Sequence, residues 1–485
     1  MSSYQKFTKY TFLIAAIHIM GTLEGIVILP VITKILGAAD YGIWAQLRGI
    51  VTLMSPFILL GLPAALVRFL PAEKNKREIQ EGIYSVLTLI SIIAFIVAIF
   101  FIFFSGIIAD FFQCSPILIK ILAVIIILEC LNVVILDALI AFQELGKYSF
   151  FSILQIIGQV LLIIGLIFLG YGLYGAVLAL LLIRLIIFFI LFIYIFKKIG
   201  IKIPTFSPIK KYLYFSLPLL SSSLSYWVVA SSDRYIINFF FGPIFVGFYA
   251  PAYSMGSLLA FFIFPVTFVL TAVLPKLFDE KRMDEVKTHL KFSLKYFLLM
   301  AIPSVFGLSV LSHQLLIIFS TKEIADNAYF ITPFIALSIL FYGVSCFFLQ
   351  NLVLAKKTKI SGIIWITAAL LNFVLNIIFI PVFGILAASI ITLLSYFFAF
   401  GLTWYFAFKE FQFEIDWQFI IKSIMASVLM ILFIIWFNPI GLLKVLITIV
   451  LAVLIYGILI LLFKGISKKE IYFFKDLVKS LIKNS

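Results

Sequence analysis

The chain has 485 residues, of which 64% are hydrophobic and only 12% are charged, and its mean hydropathy is +1.24. A soluble domain carries about 45–50% apolar and about 25% charged residues, so this composition excludes a soluble enzyme and a single-anchor protein with a large aqueous domain. The net charge of +15 would suggest a nucleic-acid partner on a soluble protein. In this chain the positive charges lie mostly in alternate connections between apolar runs, which is typical of membrane topology. No nucleic-acid partner is therefore expected.

The apolar runs predict an all-α polytopic membrane protein. They are continuous over about 20 residues and do not alternate every second residue, which excludes an outer-membrane barrel. About fourteen of them are long enough to cross a hydrocarbon core of about 30 Å. The predicted spans are 8–29, 43–66, 82–104, 117–139, 148–169, 172–196, 212–240, 245–272, 290–312, 328–350, 360–380, 385–408, 417–436 and 441–463.

Lysine and arginine separate between alternate connections of these spans. Of the 36 cations, 29 lie in or beside one set of connections and 4 lie on the other side, while Arg48, Arg184 and Arg234 lie within spans. The positive-inside rule then predicts a multi-pass protein of the cell (plasma or inner) membrane with cytoplasmic N- and C-termini. The tail from Lys464 to Ser485 is predicted to be a basic amphipathic helix on the anionic inner leaflet, with partner docking as the alternative.

An internal repeat predicts the domain organisation. The pattern G-x-x-x-x-G-x-aromatic-A occurs at 37–45 and again at 242–250, and Gly172–Ala176 corresponds to Gly384–Ala388. We therefore expect two six-helix lobes, 1–204 and 205–412, related by a pseudo-two-fold axis along the membrane normal, and an extra helix pair with a basic cytoplasmic tail at 413–485. Parallel repeats of this kind occur in secondary transporters, with the substrate path between the halves. A duplicated scaffold without transport is the alternative.

Motifs of covalent chemistry are missing from the sequence or out of context. Gly170-Tyr-Gly172-Leu-Tyr-Gly175 has the spacing of a dinucleotide fingerprint, but it lies between two predicted membrane helices and follows no strand. The three cysteines are far apart, which argues against a disulfide framework or a metal site. No enzymatic activity, cofactor or metal is predicted.

Polar residues within the apolar runs are the candidate functional residues, because such groups are costly in lipid and face a cavity or a partner. The candidate cavity residues that would bind substrate are Arg48, Arg184, Arg234, Asn372 and Asn376. The acidic candidates, either for coupling to H⁺ or Na⁺ or for ion pairs with those arginines, are Glu24, Glu129, Asp137 and Asp233. For every one of them, a purely structural ion pair or interhelical hydrogen bond is the alternative.

Short motifs along the whole chain carry a family resemblance. They are Leu36-Gly37-Ala-Ala-Asp40-Tyr41-Gly42, Asp233-Arg234 followed by Gly242-Pro243, and Leu371-Asn372-Phe-Val-Leu375-Asn376. In these motifs the chain resembles the polysaccharide (Wzx-type, O-antigen or lipid-linked oligosaccharide) flippases of the MOP superfamily. The resemblance implies a MATE-like fold of two six-helix lobes around a central cavity.

The resemblance also implies a function: export of a polyprenyl-diphosphate-linked oligosaccharide from the inner to the outer leaflet by alternating access. Arginine within the spans suits this substrate, since a guanidinium binds a diphosphate through charge-assisted, often bidentate hydrogen bonds. The expected partners are the lipid-linked substrate, membrane lipids and polysaccharide-assembly proteins, and the protein is expected to be a monomer. The alternatives are an ion-coupled multidrug exporter of the same fold, which would use the acidic residues, and a non-transport membrane scaffold subunit.

Overall fold

The computed structural model describes residues 3–73, 75–466 and 470, which form helices and no strands. Short helical turns at Leu70–Ala72, Ile167–Tyr171 and Leu258–Phe262 separate some of the α-helices. The α-helices are α1 (Ser3–Leu59), α2 (Leu62–Phe69), α3 (Lys76–Phe103), α4 (Ser105–Phe112), α5 (Pro116–Ala141), α6 (Leu145–Leu166), α7 (Gly172–Ile199), α8 (Ile209–Phe241), α9 (Pro243–Ser257), α10 (Ile263–Asp279), α11 (Met283–Val310), α12 (Ser312–Phe319), α13 (Lys322–Ala328), α14 (Ile331–Leu354), α15 (Thr358–Glu410), α16 (Trp417–Phe437) and α17 (Leu442–Leu462).

Ten helical segments of the described chain are long and apolar enough to cross a membrane. Three of them, Ala16–Leu59, Leu145–Ile199 and Thr358–Glu410, have 44, 55 and 53 residues, and each contains a glycine with non-helical torsion angles. At 1.5 Å per residue, each of these is about twice as long as a hydrocarbon core is thick. The all-α membrane fold is confirmed, while the count of fourteen spans stays a prediction.

The backbone repeats itself where the sequence repeats. Gly37 has φ 88° and ψ −178°, and its counterpart Gly242 has φ 81° and ψ 177°. Gly172 has φ 53° and ψ −140°, and its counterpart Gly384 has φ 63° and ψ −149°. These torsion angles lie where a side chain is strained and glycine is not. The predicted repeat therefore corresponds to two bends, each of which occurs once in each half of the sequence.

The two copies of the glycine motif pack against each other. A Cβ atom at Gly42 would overlap the carbonyl oxygen of Pro243, and a Cβ atom at Gly247 would overlap that of Ala38. The repeat aligns Gly42 with Gly247 and Ala38 with Pro243, so the two close approaches are equivalent. The motif conserves small residues across the repeat because two backbones meet at this point.

The chain divides into two compact units. The first unit comprises the described residues of Met1–Ser254, Phe319–Ala328 and Ser361–Ser395. Its central helix is α5, which is apolar on every side and packs against α1, α2, α3, α6 and α7. A helix that is hydrophobic all round lies in the interior of its bundle. Helix α8 packs against α1 to α4, so the chain's second repeat begins inside this unit.

The second unit comprises the described residues of Met255–Ile318, Tyr329–Ile360 and Tyr396–Ser485. Here α14 packs against α10 and α11, and α16 packs between α11 and α17. Lys295 of α11 is buried. Its Nζ lies 3.3 Å from Oδ2 of Asp416 and 3.1 Å from Oε1 of Glu470. The lobe boundaries at 204 and 412 stay predictions. Apart from 464–466 and 470, the predicted basic tail lies outside the described residues.

Candidate functional site

Arg184 of α7 forms an ion pair with Glu129 of α5 inside the first unit. Its Nε lies 2.5 Å from Oε2 of Glu129, and the two side chains are 9% and 21% exposed. Asn132, one turn further along α5, donates from Nδ2 to the carbonyl oxygen of Arg184 at 2.9 Å. A guanidinium stays charged in apolar surroundings, so it needs an anion nearby. Glu129 is that anion, and it comes from a neighbouring helix.

Gln159 of α6 connects this pair to a second one. Arg184 donates from Nη1 to Oε1 of Gln159 at 3.0 Å, and Gln159 donates from Nε2 to Oε1 of Glu24. The same oxygen of Glu24 lies 3.1 Å from Nη2 of Arg48. The helix α1 supplies both Glu24 and Arg48, on either side of its bend at Gly37. We call these residues the N-terminal polar network: Glu24, Arg48, Glu129, Gln159 and Arg184.

Arg48 is the accessible cation of the N-terminal polar network. Its side chain is 38% exposed, whereas that of Glu24 is 9% exposed. The guanidinium lies 5.8 Å from the ring centroid of Trp44, which favours a fixed orientation. Its hydrogen-bond donors other than Nη2 have no partner among the described residues. An anion that reached this site could therefore bind Arg48 without first breaking a complete set of hydrogen bonds.

Asp233 and Arg234 of α8 form a separate cluster in the same unit. Asp233 is wholly buried and accepts hydrogen bonds from the hydroxyl of Tyr249 at 2.5 Å and from the backbone N–H of Arg234 at 2.8 Å. The guanidinium of Arg234 lies 5.0 Å from the ring centroid of Tyr253. Its Nε is buried and has no hydrogen-bond partner among the described residues. We call Asp233, Arg234, Tyr249 and Tyr253 the Asp233 cluster.

Tyr41 lies between the two groups. This buried residue of α1 interacts electrostatically with both Arg48 and Arg234. Tyr41 belongs to the first glycine motif and Tyr249 to the second, so the contact of the two motifs brings the arginines near one another. Arg48 and Arg184 thus share one network, while Arg234 belongs to the Asp233 cluster.

Asn372 and Asn376 of α15 lie in the interior of the first unit. Both side chains are wholly buried. Asn376 donates to Oδ1 of Asn372 at 3.0 Å, and Asn372 donates to Oγ of Ser395 at 3.2 Å. Ser232 of α8 also donates to Oδ1 of Asn372, at 3.4 Å. These contacts favour an interhelical hydrogen-bond role, and substrate binding by the two asparagines stays a prediction.

Asp137 stands apart from the other acidic candidates. It lies on α5, two turns beyond Glu129, and it forms no hydrogen bond or ion pair with any described residue. Glu24 and Glu129 are paired with arginine, and Asp233 is held by Tyr249. Of the four carboxylates, Asp137 is therefore the one without a fixed hydrogen-bonding partner in the described chain.

Sequence reasoning missed several residues that hold this region together. Gln46 donates from Nε2 to Oδ1 of Asn238 at 3.2 Å, and Tyr235 donates to the carbonyl oxygen of Gln46 at 3.0 Å. Tyr249 could have been found, because it occupies the aromatic position of the second glycine motif. Gln46 carries no such signal, since its partners lie almost 200 positions away in the sequence.

Two family models match the chain. The model described as polysaccharide biosynthesis protein matches residues 7–281. The model described as MatE matches residues 218–378. No curated protein sequence matches the chain.

Solved structures share the fold over most of the chain. The lipid II flippase MurJ in an inward closed conformation is 19% identical, with a TM-score of 0.76 over 97% of this chain and 100% of that one. An inward-facing multidrug resistance MATE transporter of the MOP superfamily is 16% identical, with a TM-score of 0.67 over 80% and 93%. A MOP superfamily transporter from Pyrococcus furiosus Vc1 is 15% identical, with a TM-score of 0.59 over 83% and 95%. The predicted MATE-like fold is confirmed.

Proposed function

The chain belongs to the polysaccharide biosynthesis protein family, and we propose that it is a flippase for a polyprenyl-diphosphate-linked oligosaccharide. It would move the lipid-linked sugar from the cytoplasmic to the outer leaflet of the cell membrane. Both termini lie in the cytoplasm in this proposal, as the charge distribution predicts. A diphosphate with about two negative charges and a sugar head group cannot cross about 30 Å of hydrocarbon unaided, so the protein must supply a polar path.

The observation that carries the proposal is the incomplete pairing of Arg48. This residue is 38% exposed, lies within a predicted span, and contacts Glu24 through Nη2 at 3.1 Å, with no hydrogen bond from its other donors to a described residue. A diphosphate offers several acceptor oxygens, so it can occupy the remaining donors in a bidentate arrangement. Arg184 is nine-tenths buried and already bound to Glu129 and Gln159, so it would act on substrate through Gln159 and Glu24.

The charge balance of the N-terminal polar network supports coupling to an ion. Two arginines and two glutamates make it neutral without substrate. When a diphosphate binds the remaining donors of Arg48, it shares that cation with Glu24 and brings further negative charge to the network. Uptake of H⁺ or Na⁺ at Glu24 would offset part of this added charge, since an uncompensated buried carboxylate is costly. Release of that ion on the other side would restore the repulsion between Glu24 and the diphosphate and favour release of the substrate.

Alternating access suits the bent helices of this fold. The equivalent bends at Gly37 and Gly242 interrupt helices that would otherwise be rigid rods, and they occur at matching positions of the repeat. Rigid-body rocking of repeats around a fixed site is the usual transport cycle of proteins built this way.

A multidrug exporter remains the second candidate function, because the MatE model matches residues 218–378. A cationic drug needs an accessible carboxylate that is not already neutralised. Of the four acidic candidates within the spans, Glu24 and Glu129 are paired with arginine and Asp233 is wholly buried, which leaves Asp137 for that role. This shortage of available carboxylates favours the anionic substrate.

A reconstituted transport assay separates the two functions. The purified protein is placed in liposomes that contain either a fluorescent undecaprenyl-diphosphate oligosaccharide or a lipophilic cationic dye, with H⁺ and Na⁺ gradients applied in turn. We expect the lipid-linked sugar to change leaflet faster than in protein-free liposomes, while the dye is not moved. Dye transport without sugar translocation would support the exporter. Movement of neither substrate would contradict both transport proposals and favour a scaffold.

A further inference from the structure

A small cavity lies where three connections on the low-charge side of the first unit meet. The connections follow the first, third and fifth predicted spans, and the cavity has a volume of about 270 Å³. Its lining includes Asp40, Gln113, Ser115, Gly172, Tyr171 and Tyr174. Ligand pockets for drug-sized molecules run from about 300 to 1,000 Å³, so this cavity suits a smaller group.

The polar side of the cavity has unused hydrogen-bonding capacity. Asp40 is half-buried, and its carboxylate forms no hydrogen bond or ion pair with any described residue. Gln113 adopts a left-handed conformation with φ 52° at the end of α4, and its side-chain amide also has no hydrogen-bond partner in the described chain. A carboxylate accepts hydrogen bonds, and an amide both donates and accepts them, which is the pairing that neighbouring hydroxyl groups require.

The aromatic side of the cavity comes from the turn between α6 and α7. Gly170 and Gly172 have φ values of +86° and +53°, and the bend they allow presents Tyr171 and Tyr174. The two tyrosines are 58% and 44% exposed. A tyrosine offers an apolar ring face together with a polar hydroxyl, so it suits a ligand that has both C–H faces and hydroxyl groups. The glycine spacing that mimics a dinucleotide motif thus serves to shape this aromatic wall.

We propose that this cavity binds a saccharide: one sugar ring of the glycan, stacked on the tyrosines, with its hydroxyl groups on Asp40 and Gln113. No lysine or arginine of the described residues lines the cavity, so its lining offers no cation to a phosphate or another anion. The proposal rests on the proposed function for the origin of the sugar. The saccharide site adds a second contact with the substrate, for its sugar head group, on the side of the membrane opposite the cation-rich loops.

The second half of the sequence offers a matched control. By the repeat offsets, Asp40 corresponds to Phe245, Tyr171 to Phe383 and Tyr174 to Leu386. Phe383 is 62% exposed, much like Tyr171, but the counterpart of Asp40 in this half is Phe245, which is not a carboxylate. Phe383→Ala therefore removes an exposed ring at the equivalent position without touching the proposed saccharide site.

The test uses the full chain in lipid nanodiscs, because maltoside and glucoside detergents carry competing sugars. The probes are the methyl glycosides of N-acetylglucosamine, galactose and glucuronic acid, and binding is measured by saturation-transfer NMR with titration. We expect millimolar binding of at least one neutral glycoside. Asp40→Asn and Tyr171→Ala should each weaken it about tenfold or more, as expected when a charge-assisted hydrogen bond or a stacked ring is lost. Phe383→Ala should bind like the parent protein.

Three outcomes would overturn the saccharide site. One is a parent protein that binds no glycoside while it translocates the lipid-linked oligosaccharide, which would leave the proposed function intact. Another is equal loss of binding in Phe383→Ala. The third is binding of Ca²⁺ by Asp40 at submillimolar concentration with no glycoside binding. Glycoside binding that depends on Asp40, in a protein that translocates no lipid-linked sugar, would support the site and contradict the flippase.

Discussion

Single residues within the spans are best understood through their partners. The sequence predicts that Arg184 lies within a span, as a cavity residue or in a structural ion pair, and the structure pairs it with Glu129 at 2.5 Å, 55 positions earlier in the chain. It also separates the three arginines, since Arg48 is exposed while Arg184 is enclosed by its own ion pair. The sequence places Arg184 near the middle of its span and Arg48 near the end of its own, but it could not give their exposure, because exposure depends on which helices pack around each side chain. This difference in exposure is the reason why we propose Arg48 as the first substrate contact.

A double-mutant cycle tests the structural role of Arg184. Arg184→Ala leaves Glu129 charged and without its cation, which should destabilise the protein by about 3–5 kcal/mol. Glu129→Gln alone should also destabilise it, while the double variant Arg184→Ala/Glu129→Gln should recover much of the loss. Thermal unfolding and the yield of monodisperse protein measure the effect. Additive losses in the double variant would show that the two side chains do not stabilise each other.

At the scale of elements, the sequence predicted the helices far better than their contacts. Apolar length located the spans, and the repeated glycine motif contains the positions at which the structure bends, Gly37 and Gly242. The packing of α8 against α1 to α4 was not predictable, because it depends on pairs such as Gln46 and Asn238 that no local pattern links. The short helices α4, α12 and α13 were also missed, since they are too short for a periodicity signal.

The contact of the two glycine motifs gives a sharp prediction at this scale. Gly42→Ala places a Cβ against the backbone of Pro243 and Gly247, which cannot move aside as a side chain can. We expect a loss of at least about 3 kcal/mol or failure to fold, as in severe overpacking. Gly165→Ala is the control, because nothing lies within 4 Å of its added Cβ and alanine favours helix. Equal yields and melting temperatures for the two variants would contradict the close approach.

Glu144, in the connection between α5 and α6, should make the stability of the folded protein depend on pH. Burial raises the pKa of Glu144, but hydrogen bonds from Lys198 and Tyr194 outweigh it, so its pKa is held below the ordinary value. A lowered pKa stabilises the folded state above the ordinary carboxyl pKa of about 4.3, and this stabilisation is lost as the pH falls through the folded value. The difference in melting temperature between the parent protein and Glu144→Gln should therefore be present at pH 7 and shrink below about pH 4.3.

Glu323→Gln is the matched control for this measurement, because the Glu323 side chain has no ion pair with a described residue. It should alter the melting temperature equally little at both pH values. A difference for Glu144→Gln that stays constant from pH 7 to pH 3.5 would mean that the ion pair with Lys198 does not contribute to stability.

At the scale of the whole molecule, topology connects the sequence to the function. The low-charge connections at Asp40, Gln113 and Tyr171 line one cavity, as expected if they share one side of the membrane. The alternation of charge predicted this grouping without any knowledge of helix packing. The order of the helices within each unit, in contrast, could not be read from charge or hydropathy.

Cysteine labelling tests the topology directly. In a background that lacks Cys114, Cys130 and Cys346, single substitutions Lys210→Cys, Lys281→Cys and Lys322→Cys are compared. A membrane-impermeant maleimide should label Lys322→Cys in intact cells and the other two only after lysis, because 197–211 and 273–287 are predicted to be cytoplasmic. Labelling of Lys210→Cys or Lys281→Cys in intact cells would overturn both the orientation and the proposed direction of export.

The central claim, that Arg48 holds the diphosphate of a lipid-linked sugar during translocation, is tested most directly by initial translocation rates in proteoliposomes. The proteins compared are the parent, Arg48→Ala and Arg48→Lys, each at equal amounts of monodisperse protein. The account predicts that Arg48→Ala lowers the rate at least about tenfold, as expected for a lost charge-assisted contact. Arg48→Lys should retain an intermediate rate, because it keeps the charge and loses the bidentate geometry. An Arg48→Ala protein that moves the fluorescent undecaprenyl-diphosphate oligosaccharide at the parent rate would contradict the account.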